Sequence, residues 1–129
     1  MKTKLLLSLC ACVSFAVSVS AEELRFSLLQ QHENIGYLTA SEEDGTTKVQ
    51  YHVDQNGRGP KHIETIRLNS AGVPVYWSVE GTSLMGAQVS ETYSWHDGKA
   101  RWQSQADEGL VNSDKAPVYI INDGSPWAS

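Results

Sequence analysis

Residues 73–79 read Val-Pro-Val-Tyr-Trp-Ser-Val. Val73, Val75, Trp77 and Val79 fall on every second position, with Pro74, Tyr76 and Ser78 between them. Period-two alternation places one set on one side of an extended chain and the other set opposite, which is the signature of a half-covered β-strand. Asn69-Ser70-Ala71-Gly72 precedes the stretch, and small residues around Gly81 to Gly86 with Met85 follow it. Both read as turns, the second as a hairpin loop or bulge.

The same rhythm recurs on either side. Leu24, Phe26 and Leu28 alternate with Arg25, Ser27 and Leu29. Val49, Tyr51 and Val53 alternate with Lys48, Gln50 and His52, after a polar turn at Glu42-Glu43-Asp44-Gly45. Asn56-Gly57-Arg58-Gly59-Pro60 breaks the chain before Ile66 and Leu68, which flank Arg67. Downstream, Val89, Glu91, Tyr93 and Trp95 form a stripe, and His96-Asp97-Gly98 turns into Ala100 and Trp102. A last strand is predicted over Pro117–Ile121, closed by Asn122-Asp123-Gly124. No dozen-residue window beyond the leader carries a helical stripe. Turns this closely spaced join neighbours directly, and directly joined strands pair antiparallel. The sequence therefore predicts an all-β domain, a meander of about seven or eight strands forming an open half-barrel or a small sandwich. It contains no internal repeat and no low-complexity segment.

The first 21 residues require separate treatment. Lys2 and Lys4 precede an apolar run from Leu5 to Val19, and Val19-Ser20-Ala21 offers small residues for cleavage. This is the pattern of a helical secretory signal peptide, and the run is shorter than the ~20 residues of a membrane span. The expected organisation is a leader over 1–21 and a single β-domain over 22–129, exported to the periplasm or the exterior. Loss of the leader takes two of the 10 basic residues and leaves 8 against 15 acidic, a charge of -7 on 108 residues. Both cysteines, Cys10 and Cys12, lie in the leader, so the mature part holds no disulfide, thiolate nucleophile or cysteine metal ligand. Leu9-Cys10-Ala11-Cys12 loosely resembles a lipoprotein processing box, with Cys12 as the residue it would acylate. An acidic chain without Lys/Arg clusters is a poor partner for nucleic acid, and no membrane span is expected. Ser125-Pro126-Trp127-Ala128-Ser129 ends without charge or cap, with an apolar Trp two residues from the end, as though the chain leads on to something further.

The chemistry-bearing residues are scattered. His32, His52, His62 and His96 form neither His-x-His nor HExxH. The nearest pair, His52 and His62, straddles the Asn56–Pro60 turn and reads as solvent-facing positions alternating with Val and Ile. The acidic groups Glu42-Glu43-Asp44 and Asp107-Glu108 sit in turns. Glu91 differs, because it shares a stripe with apolar side chains. An inward acid requires a partner, and Arg67 or Arg101 is the expected one. No serine lies in a Gly-x-Ser-x-Gly elbow. Arg58, held between two glycines, could present a guanidinium to an anion or an acidic surface, or simply pack back on the sheet. Trp77, Tyr93, Trp95 and Trp102 are candidates for an interaction face and equally for core filling.

Asn56-Gly57-Arg58-Gly59-Pro60, Gly72-Val73-Pro74, Glu91 to Trp95, Ala100-Arg101-Trp102, Pro117-Val118-Tyr119 and Asp123-Gly124 stand in a distinctive order. On these residues the chain, from 24 to about 127, resembles the amino-terminal β-domain that precedes the barrel in exported, metal-dependent amidohydrolases related to imidazolonepropionase. The resemblance implies hydrolysis of C–N bonds by a barrel holding zinc or another divalent metal through histidines, an aspartate and often a carboxylated lysine. The family's His-x-His would lie beyond Ser129, so the resemblance carries no catalytic or metal-ligating residue and no cofactor onto this chain. It implies a non-catalytic domain whose partner is such a barrel, in the same or a neighbouring chain. A rival reading is a stand-alone periplasmic binding module whose aromatic-lined sheet holds an apolar ligand or lipid. A self-contained hydrolase would need three convergent polar residues in a pocket.

Overall fold

The structure, a computed structural model, describes residues 22–127. The predicted leader and Cys12 lie outside the described residues. Eight strands follow in chain order: β1 (Glu23–Gln30), β2 (Glu33–Glu43), β3 (Thr46–Val53), β4 (Lys61–Leu68), β5 (Pro74–Thr82), β6 (Gln88–His96), β7 (Lys99–Gln103) and β8 (Glu108–Asn112). They form one antiparallel sheet in the order β1-β2-β3-β4-β5-β6-β7-β8, with β1 and β8 as its two edges. The all-β meander of the sequence reading is present as a single open sheet. No strand forms a second layer among the described residues, so the sandwich expectation is corrected.

The turns explain why successive strands pair. Four hairpins pivot on two adjacent residues with positive φ: Gln31-His32, Asp44-Gly45, Asn56-Gly57 and Asp97-Gly98. Two positive φ values in succession match the right-handed twist of paired strands. At Asn56-Gly57 the flanking Gln55 and Arg58 exchange both backbone hydrogen bonds, at 2.7 and 3.1 Å. Asp54 Oδ1 accepts from the Gly57 amide at 2.9 Å, and Lys61 Nζ lies 3.4 Å from Oδ2. These contacts hold the exposed Asp54 carboxyl below its usual range, the Gly57 bond foremost.

Register sorts the side chains onto two faces. Ala40, Val49, Glu64, Val79 and Glu91 are consecutive cross-strand partners from β2 to β6 and make one row. Every member of that row is buried. A neighbouring row holds Ile66, Trp77, Tyr93, Trp102 and Gly109. The opposite face carries Arg25 over the Tyr37 ring at 4.5 Å, Tyr37 stacked on His52, and Arg67 over Tyr76.

The row face is covered by the chain itself. Beyond β8, residues 113–127 form no strand and run back across it as a strap. Ser113 ties to the β6–β7 turn through its amide, which donates to the Gly98 carbonyl at 2.8 Å. Tyr119 stacks on Tyr93 with ring centroids 4.5 Å apart, Ile121 joins Val79 and Val89 in a buried cluster, and Trp127 reaches Phe26 of β1 at 6.3 Å. A second cluster, Leu38, Ala40 and Val49 with Tyr51, fills the β2–β3 side. The predicted strand at Pro117–Ile121 is thus corrected: the alternation there is real, with Tyr119 and Ile121 turned in and Val118 and Ile120 exposed, but no neighbouring strand pairs with it. The last strand is instead Glu108–Asn112.

Candidate functional site

The polar chemistry of this molecule is concentrated beneath the strap, on β4, β5 and β6. Glu64 is wholly enclosed and Glu91 nearly so. A buried carboxylate is tolerable only when donors replace its water. Glu64 receives the Trp77 indole N–H on Oε2 at 3.3 Å and the Ser125 amide on Oε1. Glu91 receives the Tyr119 hydroxyl on Oε1 at 2.6 Å and the Asn122 amide on Oε2 at 3.1 Å, with the Asn122 side-chain amide at 3.4–3.5 Å from both oxygens. Four of these donors come from the strap. The arginine expected for Glu91 is not its partner, because Arg67 and Arg101 align with Tyr76 and Ser94 on the opposite face.

Tyr119 feels both its burial and the Glu91 carboxylate. Burial, then the hydrogen bond to Glu91, push its phenol far above the ordinary tyrosine range. Burial alone raises Tyr93, whose hydroxyl has no hydrogen-bond partner among the described residues. The stacked pair of tyrosines is therefore neutral, and only one of its hydroxyls is engaged.

His62 contradicts the sequence expectation of a solvent-facing position. It is 7% exposed and lies opposite Tyr51 on β3, at 5.2 Å between ring centroids. Strand parity explains the difference: His62 shares the inward phase of Glu64 and Ile66, whereas His52 pairs with Lys61 on the other face. The two histidines cannot meet, and among the described residues no group of three or more His, Cys, Asp or Glu is placed to hold a metal ion.

The four aromatic candidates all fall on the strapped face. Trp77, Trp95 and Trp102 are half-buried, and Tyr93 is buried. Each indole N–H has an internal acceptor: Glu64 for Trp77, the Ser113 carbonyl for Trp95 at 3.1 Å, and Asp107 Oδ2 for Trp102 at 3.2 Å. Their bodies lie on the strapped face, and of their polar edges Trp95 holds the start of the strap directly, Trp77 meets it through Glu64, and Trp102 holds the β7–β8 turn. Arg58 is exposed at the tip of the β3–β4 hairpin, near Leu84 and Met85 of the β5–β6 loop, across a shallow depression of about 310 Å³. It does not join the buried cluster. A second opening of about 480 Å³ lies between Trp77 and the strap residues Tyr119 to Ser125.

The sequence reading missed Glu64, Tyr119 and Asn122, and put His62 on the wrong face. Glu64 carried a usable signal, since it lies two residues from Ile66 on the stripe extended backward. Tyr119 and Asn122 carried none, because their roles depend on a contact 28 and 31 residues distant in the chain.

No family model matches this chain, and comparison with curated proteins and with solved structures finds no match.

Proposed function

We propose that this chain is a non-catalytic, exported β-domain that serves a metal-dependent amidohydrolase barrel, in the same or a neighbouring chain, as an accessory scaffold. The observation that supports this most is the use made of the buried acids. Glu91 is held by strap donors and Glu64 by the Trp77 indole of β5 and the Ser125 amide of the strap, so both acids are engaged in joining strap to sheet. In this reading the sheet curls as a half-barrel around its own C-terminal segment and works as a clamp. The outward side of the strap, where Val118 and Ile120 are 92% and 80% exposed, is the surface offered to the barrel. Large apolar groups standing in water together mark contact surfaces more often than chance allows.

The rival, a binding module for an apolar ligand or lipid, draws on the opening beside Trp77. It is the weaker reading, because the strap already covers the face such a ligand would occupy.

The protein recovered from its native host tests the proposal. Mass spectrometry is expected to find a barrel containing His-x-His in the same polypeptide or co-eluting with it. Purified residues 22–129 are expected to hydrolyse no cyclic amide or dipeptide in added zinc. Turnover that disappears on chelation and in His62→Ala would replace the scaffold reading with an enzyme. A lipid retained at one equivalent would favour the binding module.

A further inference from the structure

His62 is the one imidazole enclosed under the strap. Its side chain is 3% exposed, and neither Nδ1 nor Nε2 has a hydrogen-bond partner among the described residues. Buried polar atoms without partners are uncommon and costly, and each calls for an explanation. The groups around it are few. Tyr51 faces it from β3, and Gly81 of β5 lies opposite without a side chain. Glu64 follows two residues along β4, with Oε1 3.9 Å from His62 Nε2, and Asp123 contributes a second negative charge from the strap. Tyr51, Glu64 and Asp123 are thus the titratable groups that face it. Glu64 Oε1 is also the atom that accepts the Ser125 amide.

This geometry sets two donors in competition for one oxygen. A neutral imidazole with its single N–H on Nδ1 leaves Oε1 to Ser125. Protonation makes Nε2 a donor as well, and a charged N–H···O⁻ bond is roughly twice as strong as a neutral one. We propose that His62 is an acid-sensitive latch: a proton on the ring draws Glu64 Oε1 from the Ser125 amide, and the strap end from Ser125 to Trp127 lifts from the sheet. Lifting lets water reach the imidazolium, which the closed state denies it.

The direction follows from burial. Desolvation holds His62 below its ordinary 6.5 and outweighs the pull of Glu64 and Asp123. The closed form binds fewer protons than the open form as pH falls from 6.5 to the closed-state value. The closed strap is therefore fully stable above pH 6.5 and loses stability beneath it. This latch is independent of whether a barrel is the partner.

The test follows the full chain by NMR, reading the His62 ring titration and the exchange protection of the Ser125 amide between pH 7.5 and 5. The expected midpoint for His62 lies below 6.5. Ser125 protection, corrected for intrinsic exchange, is expected to fall about tenfold for each unit of that displacement. Amides in β2 and β3 keep theirs. His62→Phe retains a ring beside Tyr51, and His62→Gln supplies a neutral polar group should the first variant not fold. Either is expected to abolish the acid loss at Ser125. The latch is refuted if the loss persists in a folded variant, if His62 titrates at or above 6.5, or if β2 and β3 open together with the strap.

Discussion

Glu91 shows how one residue can be read correctly in position and wrongly in partner. Its place on the Val89–Tyr93–Trp95 stripe was visible in the sequence, because strand parity is local. Its partners were not, because nothing in the sequence near Glu91 points to Tyr119 or Asn122. Removing the carboxylate in Glu91→Ala strands three strap donors and is expected to cost about 2–4 kcal/mol of unfolding free energy, measured in urea. Glu91→Gln keeps an acceptor and should cost less. Tyr119 adds an alkaline signature. Its phenol stays protonated in the fold past the pH at which an unfolded tyrosine ionises, so stability is complete below about pH 10 and declines above it. Tyr119→Phe should flatten that decline, and ultraviolet titration should lose one late-ionising tyrosine.

At the level of elements, legibility tracked turn chemistry. Asn56-Gly57 and Asp97-Gly98 announce hairpins whose flanking strands were located, and Asp44-Gly45 announces one of which only the following strand, β3, was located. β2 escaped notice because its leading turn uses Gln31 and His32 at φ 51° and 71° without any glycine, and because Gly36, Ala40 and Ser41 weaken its alternation. β8 escaped because Gly109 resembles a breaker. In fact it is small so that the Trp102 ring can lie over it; a Cβ there would come 2.1 Å from Trp102 Cζ2. The strap misled in the opposite direction, since it alternates like a strand but its amides at Asn122 and Ser125 go to side-chain carboxylates. Gly81 is the element-level position most exposed to test. At φ 149°, a Cβ would meet the Lys61 carbonyl oxygen at 2.1 Å and His62 Cα at 2.6 Å. Gly81→Ala must push β4 and β5 apart, and a loss of about 2 kcal/mol or more is expected in denaturant titration, with shifted resonances at His62.

For the molecule as a whole, one sheet of eight strands offers two faces, and among the described residues only one of them is covered by the strap. Fold class was legible because the period of two persists from Leu24 to Trp102. That the sheet has a single layer, and that residues 113–127 substitute for a second, depends on packing between distant segments. Ile121 tests that substitution. It is 7% exposed among Val79, Val89, Trp77 and Tyr119. Ile121→Ala opens a cavity that a thin layer can scarcely refill, and about 2–4 kcal/mol is the expected loss by urea unfolding.

Among the described residues the sheet also never seals upon itself, since β1 and β8 do not pair. Again among the described residues, β1 is paired along one side only, over eight residues that include Leu24, Phe26 and Leu29, all more than two-fifths exposed. β8, at the far rim, spans five. A free margin of that length is an invitation to a ninth strand, and the longer margin is the more receptive host. Any polypeptide that joins this protein through its main chain would therefore be expected to enlarge it from the amino-terminal side, beside Phe26 and the Trp127 that leans on it.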